Sequence, residues 1–455
     1  MSGRWIRGLL RLAEAFPRLT DRLIQLAVSR HGSWFITRMA ALWLLIFPRL
    51  GPSRRERLVD RIQAELGEDR PDSASGSGEF TLAAEMSEVS FRSDQMMRLL
   101  SYVDHLPRQR KARIASLLSY ILLQGFRRKL SNRRALAAGN PPVNYRYLFM
   151  TTASRCNLSC TGCFGSPEMD QNQLSYSRLA YLLAEIERLG VQGIYIPGWG
   201  EPFYDRKEKQ ILFQLTRRHA GILFWIFTNG TTLTEEDLDT IGRRGNIFPY
   251  LSLDGLEQLH DARRGQGVFR QVERTAGGLR QRGIPFSISA TVTGQNYREV
   301  TSTAFIDLVQ SWGACWIIYF YYFNLFGQPG SSDLDLSAEQ SSEYYRRLAG
   351  TRLRHSIPLL DINEAERTVG CRSQKGISTF IDALSGGVGP CIKFPHTTPS
   401  LNLYTNPGEG RLQRILESEE CRDFWSGPPE SWLCEMACTG NWRTHQADPV
   451  SKAGG

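Results

Sequence analysis

Three cysteines within eight residues, Cys156, Cys160 and Cys163, are the first side chains whose spacing could support chemistry. Three thiolates on one short loop can hold three irons of a cubane cluster and leave the fourth iron open to a small ligand. Other interpretations stay open at this point. A structural zinc would need a distant fourth ligand, and Cys160 and Cys163 alone could form a dithiol redox pair. Haem attachment would require a histidine where Phe164 stands.

A second group of cysteines lies near the end of the chain and comprises Cys371, Cys391, Cys434 and Cys438. Cys434 and Cys438 are spaced so that both thiolates could face one way on a helical turn. Four thiolates can supply one complete [4Fe-4S] cluster without an open iron or a tetrahedral zinc site. Cys421 is either a further ligand or a bystander. Cys315 opens an apolar strand and is expected to be a small buried hydrophobe.

The elements that would position the first cysteines begin at Tyr145, where short apolar strands alternate with amphipathic helices such as Tyr176–Leu189. The predicted strands are Tyr147–Thr152, Ile194–Pro197, Leu223–Thr228, Ile247–Leu253, Phe286–Val292 and Trp316–Tyr321. Such alternation predicts parallel strands joined by crossover helices, in an open sheet or a barrel. Chemistry in barrels of this kind lies in the loops that follow the strands, where the unusual residues of this sequence occur.

Four short motifs accompany the ends of the first four predicted strands in order, and a fifth comes shortly after the fourth motif. They are Cys156–Phe164, Trp199-Gly200-Glu201-Pro202, Thr228-Asn229-Gly230, Ser252-Leu253-Asp254-Gly255 and His260-Asp261-Ala262-Arg263-Arg264-Gly265. Over roughly residues 147–325 the chain therefore resembles the radical S-adenosylmethionine (SAM) superfamily, whose signatures include CxxxCxxC, GGEP and, in its SPASM-type members, HDxxRG.

The resemblance implies a partial (β/α)6 TIM-like barrel with a [4Fe-4S] cluster and SAM as cofactors. In that family the methionine amine and carboxylate of SAM chelate the open iron, and one electron cleaves the sulfonium. The resulting 5′-deoxyadenosyl radical abstracts hydrogen from a substrate C–H bond. The resemblance further implies that Gly200 and Glu201 hold the amine and Ser252 the carboxylate or ribose. It places Asn229 and Asp254 among the cofactor-binding residues, and it calls for an electron donor such as ferredoxin or flavodoxin.

Two positions depart from the family pattern. The family usually has an aromatic residue directly before the third cysteine, where this chain has Gly162. The first glycine of GGEP is replaced by Trp199. Neither change removes a metal ligand, and a side chain is tolerated at position 199 if backbone groups do the binding there.

The C-terminal segment resembles a SPASM/twitch-type auxiliary-cluster domain in reduced form. Cys371, Gly386 and Cys391 match the opening C…GxxxxC pattern, and Ser378–Asp382 corresponds to its hairpin. Cys371, Cys391, Cys434 and Cys438 are the expected ligands of one auxiliary [4Fe-4S] cluster. The same four residues would also satisfy zinc, and the iron–sulfur interpretation is preferred because of the domain upstream.

Five segments are predicted along the chain: a basic amphipathic helical region (1–71), a flexible linker (72–78), a helical region (79–144), the radical SAM core (145–336) and the auxiliary-cluster domain (337–455). Residues 1–150 carry 25 Lys+Arg against 13 Asp+Glu, a net +12, whereas the remainder carries −3. Trp5, Leu9, Leu12 and Phe16 recur at helical spacing among the arginines. This pattern predicts either a helical cap on the barrel or peripheral contact with an anionic membrane.

These features favour an enzyme acting on a lipid or another membrane-associated substrate, with a peptide maturase as the alternative. A dithiol oxidoreductase and a non-catalytic binding protein rank below both. Nucleic acid is not an expected partner, because the basic helices lack zinc-finger, RNP and helix-turn-helix patterns. The cysteine usage predicts a reducing, cytoplasmic compartment, and charged residues interrupt any early apolar stretch that could act as a signal peptide.

Overall fold

The computed structural model describes residues 147–163, 165, 173–191, 193–323, 332–364, 378–389 and 399–421. Among them, residues 147–278, 286–355 and 359–421 form one compact unit, and residues 279–285 and 356–358 are grouped apart from it. The N-terminal helical regions, the linker at 72–78 and Cys371, Cys391, Cys434 and Cys438 lie outside the described residues. The predicted domain boundaries therefore stay a prediction.

Six parallel strands form the centre of the fold. They are β1 (Tyr147–Thr151), β2 (Gly193–Ile196), β3 (Leu223–Thr228), β4 (Ile247–Ser252), β5 (Ser287–Val292) and β6 (Ile317–Tyr321). Each strand pairs in parallel with the next one along the chain. The α/β fold of parallel strands predicted from the sequence is confirmed, and each predicted strand end lies within one residue of the observed one.

Helices connect these strands along the chain. In chain order they are α1 (Tyr176–Arg188), α2 (Arg206–Arg218), α3 (Glu235–Arg244), α4 (Glu257–Arg264), α5 (Val268–Gln281), α6 (Tyr297–Val300) and α7 (Thr303–Trp312). Helix α1 buries its predicted apolar face, which comprises Leu179, Leu182, Leu183 and Ile186. Strand β3 is buried at every position, as expected for a parallel strand that is covered on both faces.

Three strands beyond the predicted six enlarge the sheet. Strand β7 (Leu359–Asp361) pairs with β6, and β8 (Ser378–Asp382) pairs in parallel with β1. Strand β9 (Val388–Gly389) is antiparallel to β8 and completes a hairpin. Within the described residues the strand order is β7-β6-β5-β4-β3-β2-β1-β8-β9. The predicted hairpin segment thus coincides with β8 and lies beside the strand that leads to Cys156.

The last described segment packs on α1. Helix α8 (Ala338–Arg354) precedes β7, and α9 (Arg411–Leu416) follows the hairpin. The buried carboxylate of Glu185 accepts hydrogen bonds from the backbone N–H groups of Gly410 and Leu412, both at 3.0 Å. Because these N–H groups belong to the first turn of α9, Glu185 satisfies donors that the helix itself cannot.

Among the residues described, no helix is long and apolar enough to cross a membrane.

Candidate functional site

The loop that carries Cys156, Cys160 and Cys163 leaves the end of β1 and is held by its neighbours through the backbone. The N–H of Gly200 donates to the Ala153 carbonyl at 2.9 Å, and the N–H of Glu201 donates to Arg155 at 2.8 Å. On the other side, Thr161 donates to the carbonyl of Arg263 at 2.9 Å. The loops that follow β1 and β2 and the end of α4 therefore meet around the cysteines.

Gly200 lies too close to this loop for a side chain. A Cβ placed on Gly200 would overlap the carbonyl oxygen of Arg155 and lie 2.7 Å from its backbone nitrogen. The ring of the neighbouring Trp199 stacks on Phe380 of β8, with ring centroids 4.9 Å apart. The second glycine of the GGEP-like motif is thus required by sterics, whereas the first position has room for an indole.

Asn229 connects the loop after β3 to the cysteine loop. Its side-chain amide donates to Asn157 Oδ1 at 3.0 Å and lies 3.7 Å from Cys156 Sγ. Its carbonyl oxygen accepts from the backbone and hydroxyl of Thr231 at 2.9 and 2.8 Å. The amide group of Asn229 is therefore oriented by the protein with its N–H groups toward the first cysteine.

The side chain of Glu201 is buried and bonded to the end of β3. One carboxylate oxygen accepts from Thr228 Oγ1 at 2.7 Å and from the N–H of Phe203 at 3.1 Å. The other accepts from the N–H of Asn229 at 2.6 Å. Burial raises the pKa of Glu201 to about 7 against the lowering effect of these hydrogen bonds. The carboxylate fixes the loops after β2 and β3 to each other.

Asp254 is the centre of a buried ion cluster. Its carboxylate pairs with Arg263, with Arg264 Nε at 2.6 Å and with the N–H of Thr291 at 2.8 Å. Burial alone would raise the pKa of Asp254, but Arg264 and Arg263 lower it far below its ordinary value. Arg264 also interacts electrostatically with Cys160. A net positive charge is therefore buried beside the second cysteine.

His260 supports the same cluster as a neutral residue. Its Nδ1 accepts the N–H of Asp254 at 3.1 Å, so the ring proton lies on Nε2. Burial and the nearby Arg264 lower the pKa of His260 to about 4. His260 therefore positions Asp254 and does not act as a proton donor at neutral pH.

The predicted cofactor-binding residues lie at one edge of the sheet. Gly200, Glu201, Asn229, Ser252 and Asp254 all lie in or directly before loops at the same edge of the sheet as the first three cysteines. Ser252 is half-buried as the last residue of β4. Cys421, at the end of the described C-terminal segment, is buried, and burial raises the pKa of its thiol to about 12. The predicted roles of these residues as cofactor contacts or ligands stay predictions.

The donors of the cysteine loop fit an iron–sulfur cluster. Cys156 Sγ accepts from the N–H of Leu158 at 3.4 Å and faces the Asn229 amide, and N–H groups of this kind stabilise thiolate sulfur and tune clusters. Thr152 Oγ1 and Arg263 Nε are buried near the loop and lack a hydrogen-bond partner within the described chain. No group of three or more described His, Cys, Asp or Glu side chains could hold a single metal ion, whereas a cubane binds each thiolate through a separate iron.

Comparison with known proteins identifies the superfamily. The family model of the radical SAM superfamily matches residues 150–305, which contain all five motifs. The chain therefore contains a radical SAM domain over that segment. Members of that superfamily use SAM and a [4Fe-4S] cluster. Cys156, Cys160 and Cys163 stay the predicted ligands of such a cluster.

Curated relatives match the chain over part of its length. An AdoMet-dependent heme synthase of Methanosarcina barkeri is 29% identical over 197 residues, which cover 41% of this chain and 52% of the relative. The sporulation killing factor maturation protein SkfB of Bacillus subtilis is 26% identical, over 32% of this chain and 35% of the relative. The chain thus spans about half or less of the length of these relatives.

Solved structures share the fold. Streptococcus suis SuiB bound to S-adenosylmethionine superimposes with a TM-score of 0.54 at 18% identity, covering 68% of this chain and 73% of SuiB. Native anSMEcpe with bound AdoMet and a peptide gives 0.50 at 18% identity, covering 65% of this chain and 88% of the other. At this identity the likeness concerns the fold, and it agrees with the predicted partial barrel.

Several contacts around the site were not predicted from the sequence. Arg263 and Arg264 lie within the quoted HDxxRG-like stretch, yet the sequence did not indicate that both would pair with Asp254. Thr228 belongs to the predicted Thr-Asn-Gly turn, and its hydroxyl contacts Glu201 from the next loop. Tyr322 lies against Gly162. The only sequence signal for this contact was the glycine before Cys163, where the family usually has an aromatic residue.

Proposed function

We propose that this chain reductively cleaves SAM at a [4Fe-4S] cluster held by Cys156, Cys160 and Cys163. The observation that carries the proposal is the set of backbone hydrogen bonds that hold the cysteine loop. Gly200 and Glu201 donate to it from one side, and the Arg263 carbonyl accepts from it on the other. The bound cluster and SAM would supply one electron and a 5′-deoxyadenosyl radical that abstracts hydrogen from a substrate. The protein's own residues orient the loops that carry the cysteines.

The charges around the loop support this proposal. A [4Fe-4S] centre with three thiolates is anionic, and Arg263 and Arg264 place a buried excess of positive charge beside it. Burial raises the pKa of Cys160, and Arg264 and Arg263 oppose that rise. Positive charge beside a cluster also favours addition of an electron. The amide of Asn229 and the backbone of Leu158 supply N–H donors to Cys156.

The test is anaerobic reconstitution followed by reduction in the presence of SAM. Wild-type protein is expected to form 5′-deoxyadenosine, and Cys160→Ala is expected to abolish it, because one iron loses its thiolate. Cys315→Ala is the matched control, since Cys315 is buried in the core before β6. Deoxyadenosine formation by Cys160→Ala at the wild-type rate would overturn the proposal.

The substrate belongs to the proposal as well. The basic, Trp- and Leu-rich N-terminal residues favour a lipid or another membrane-associated substrate, whereas the relative SkfB, a sporulation killing factor maturation protein, supports the alternative of a peptide maturase. If the substrate is membrane-associated, the full chain is expected to sediment with anionic liposomes at low salt. Added salt is expected to weaken this binding by screening the charges. Equal, negligible sedimentation with anionic and neutral liposomes would contradict a membrane substrate and favour the peptide.

We further propose one auxiliary [4Fe-4S] cluster on Cys371, Cys391, Cys434 and Cys438. The support is the sequence pattern, together with the hairpin of β8 and β9 that lies between the first two of these cysteines. An electron donor such as ferredoxin or flavodoxin would deliver the electron.

A further inference from the structure

Gly162, between the second and third cysteines, is tightly enclosed. Its φ is 64°, a left-handed conformation that glycine adopts at little cost and other residues avoid. A Cβ at this position would overlap Leu334 Cδ1 and lie 2.8 Å from Tyr322 Cε2 and 2.9 Å from the Tyr322 hydroxyl. Both the conformation and the surroundings of Gly162 therefore exclude a side chain.

The two side chains that enclose Gly162 are themselves anchored. Tyr322 directly follows β6, is 7% exposed, and donates its backbone N–H to the Val292 carbonyl at 2.9 Å. Leu334 is 2% exposed, and its carbonyl accepts from the N–H of Gly294 at 2.8 Å. The loops after β5 and β6 thus hold a fixed apolar surface against the cysteine loop.

We propose that Tyr322 is a positioning residue for the cluster: its ring, with Leu334, holds Gly162 in the left-handed conformation that sets Cys160 and Cys163 apart. The inference rests on the proposed function and deepens it. The ring of Tyr322 reaches Gly162 from the position directly after β6.

The ring of Tyr322, and not its hydroxyl group, holds Gly162 in place. Contact with Gly162 involves the ring edge as well as the oxygen, and an apolar neighbour such as Leu334 favours packing over hydrogen bonding. Tyr322→Phe therefore keeps the enclosure. Tyr322→Leu opens a cavity beside Gly162, and a glycine that is no longer enclosed gains access to many backbone conformations.

The experiment compares wild type, Tyr322→Phe, Tyr322→Leu and the control Tyr321→Leu. Tyr321 is the neighbouring buried residue, and its ring packs on Tyr344 of α8 at 5.4 Å. First-site iron is measured as the iron of each protein minus that of the same protein with Cys156, Cys160 and Cys163 changed to Ala. The electron paramagnetic resonance spectrum of the reduced cluster is recorded with and without SAM.

Tyr322→Phe and Tyr321→Leu are expected to match wild type in first-site iron and in the spectral change upon SAM addition. Tyr322→Leu is expected to lose at least half of the first-site iron, and the remaining cluster to lose the response to SAM. Wild-type values for Tyr322→Leu would overturn the inference. Equal losses in Tyr321→Leu, or a loss in Tyr322→Phe, would also overturn it, because a general core defect or the hydroxyl would then be responsible.

The two proposals fail in different ways. If the first-site cluster of the wild-type protein showed no spectral change upon SAM addition, the proposed function would be overturned, whatever the result for Tyr322. A wild-type protein that responds to SAM while Tyr322→Leu behaves identically would overturn only the role of Tyr322.

Discussion

Trp199 stacks on Phe380, with ring centroids 4.9 Å apart and ring planes inclined by 27°. Trp199 precedes Gly200, whose N–H binds the segment leading to the cysteines, and Phe380 lies in β8. Strand β8 also pairs with β1, and the N–H of Ala383 donates to the Thr151 carbonyl at 3.0 Å. The C-terminal hairpin therefore contacts the site through a strand pairing and through an aromatic stack.

Replacing Trp199 by glycine restores the family residue and removes this stack. We expect Trp199→Gly to lower the free energy of unfolding by about 1–2 kcal/mol, of which the aromatic pair accounts for roughly 1 kcal/mol, and to weaken SAM binding. Trp199→Phe should retain most of the stability and most of the affinity for SAM. Urea denaturation and SAM titration check this, with Tyr204→Ala as control because Tyr204 is 46% exposed two residues after Pro202. A Trp199→Gly variant no less stable than Tyr204→Ala would contradict the role of the stack.

Local sequence patterns predicted the parts of the fold that depend on short-range periodicity. The six central strands alternate with amphipathic helices, and each strand is an apolar run bounded by turn residues, so both their type and their ends could be predicted. Strand β8 was located as part of a hairpin, but its pairing with β1 could not be predicted. That contact joins residues more than 200 positions apart, and strand periodicity specifies which face is buried and not which strand lies alongside.

In the candidate site, too, the positions of the loops could be predicted from the sequence and the side-chain contacts between them could not. The loops that carry Cys156, Gly200, Asn229 and Asp254 were predicted to meet because the carboxyl ends of parallel strands share one edge. The partners of individual side chains depend on packing across loops. The expected contact of Asp254 with the cofactor stays a prediction, and the bonds of its carboxylate to Arg263, Arg264 and Thr291 were not indicated by the sequence.

Glu201 should make stability depend on pH in a defined direction. Its pKa is raised to about 7 by burial, so between about pH 4.5 and 7 the folded protein binds a proton that the unfolded chain has released. The free energy of unfolding must then fall as pH rises through this window, by up to about 1.4 kcal/mol per pH unit from this group. Glu201→Gln should remove that slope. Urea denaturation at several pH values measures both proteins, and identical slopes would refute the assignment.

Asp254 should be essential to the buried ion cluster at neutral pH. Asp254→Asn leaves Arg263 and Arg264 without a counter-charge, and we expect a loss of about 3–5 kcal/mol in the free energy of unfolding. Because the pKa of Asp254 is lowered, this contribution is present at all pH values above the ordinary aspartate pKa and is lost only in stronger acid. Glu257→Gln, in the exposed pair with Arg270, is the control and should cost about 1 kcal/mol or less. Equal effects of the two substitutions would argue against the cluster.

Glu185 should hold the C-terminal segment on the first helix. In Glu185→Ala the N–H groups of Gly410 and Leu412 lose their buried acceptor, which costs about 1–3 kcal/mol. Hydrogen exchange at these two amides is expected to accelerate more than exchange in β3. The control is Glu409→Ala, because Glu409 pairs with Arg188 at the surface and is 82% exposed. Unchanged exchange at Gly410 and Leu412 would contradict this role.

The metal content tests both cysteine groups together. Wild-type protein reconstituted with iron and sulfide should contain about eight irons per chain, as two cubane clusters. The variant with Cys156, Cys160 and Cys163 changed to Ala should keep about four, because a cluster with four thiolates does not depend on the first loop. Stoichiometric zinc, with iron only at the first loop, would instead favour a structural zinc at the second group.

Cys421 supplies the matched control for that measurement. Its thiol is buried, and the four expected ligands Cys371, Cys391, Cys434 and Cys438 complete one cluster without it. Cys421→Ala is therefore expected to retain all of the wild-type iron, and Cys391→Ala to lose about half of it, as one of two cubane clusters. Iron and zinc are determined by elemental analysis of both variants alongside wild type. Loss of about four irons from Cys421→Ala would make Cys421 a ligand, because metal binding can displace the proton of even a buried thiol.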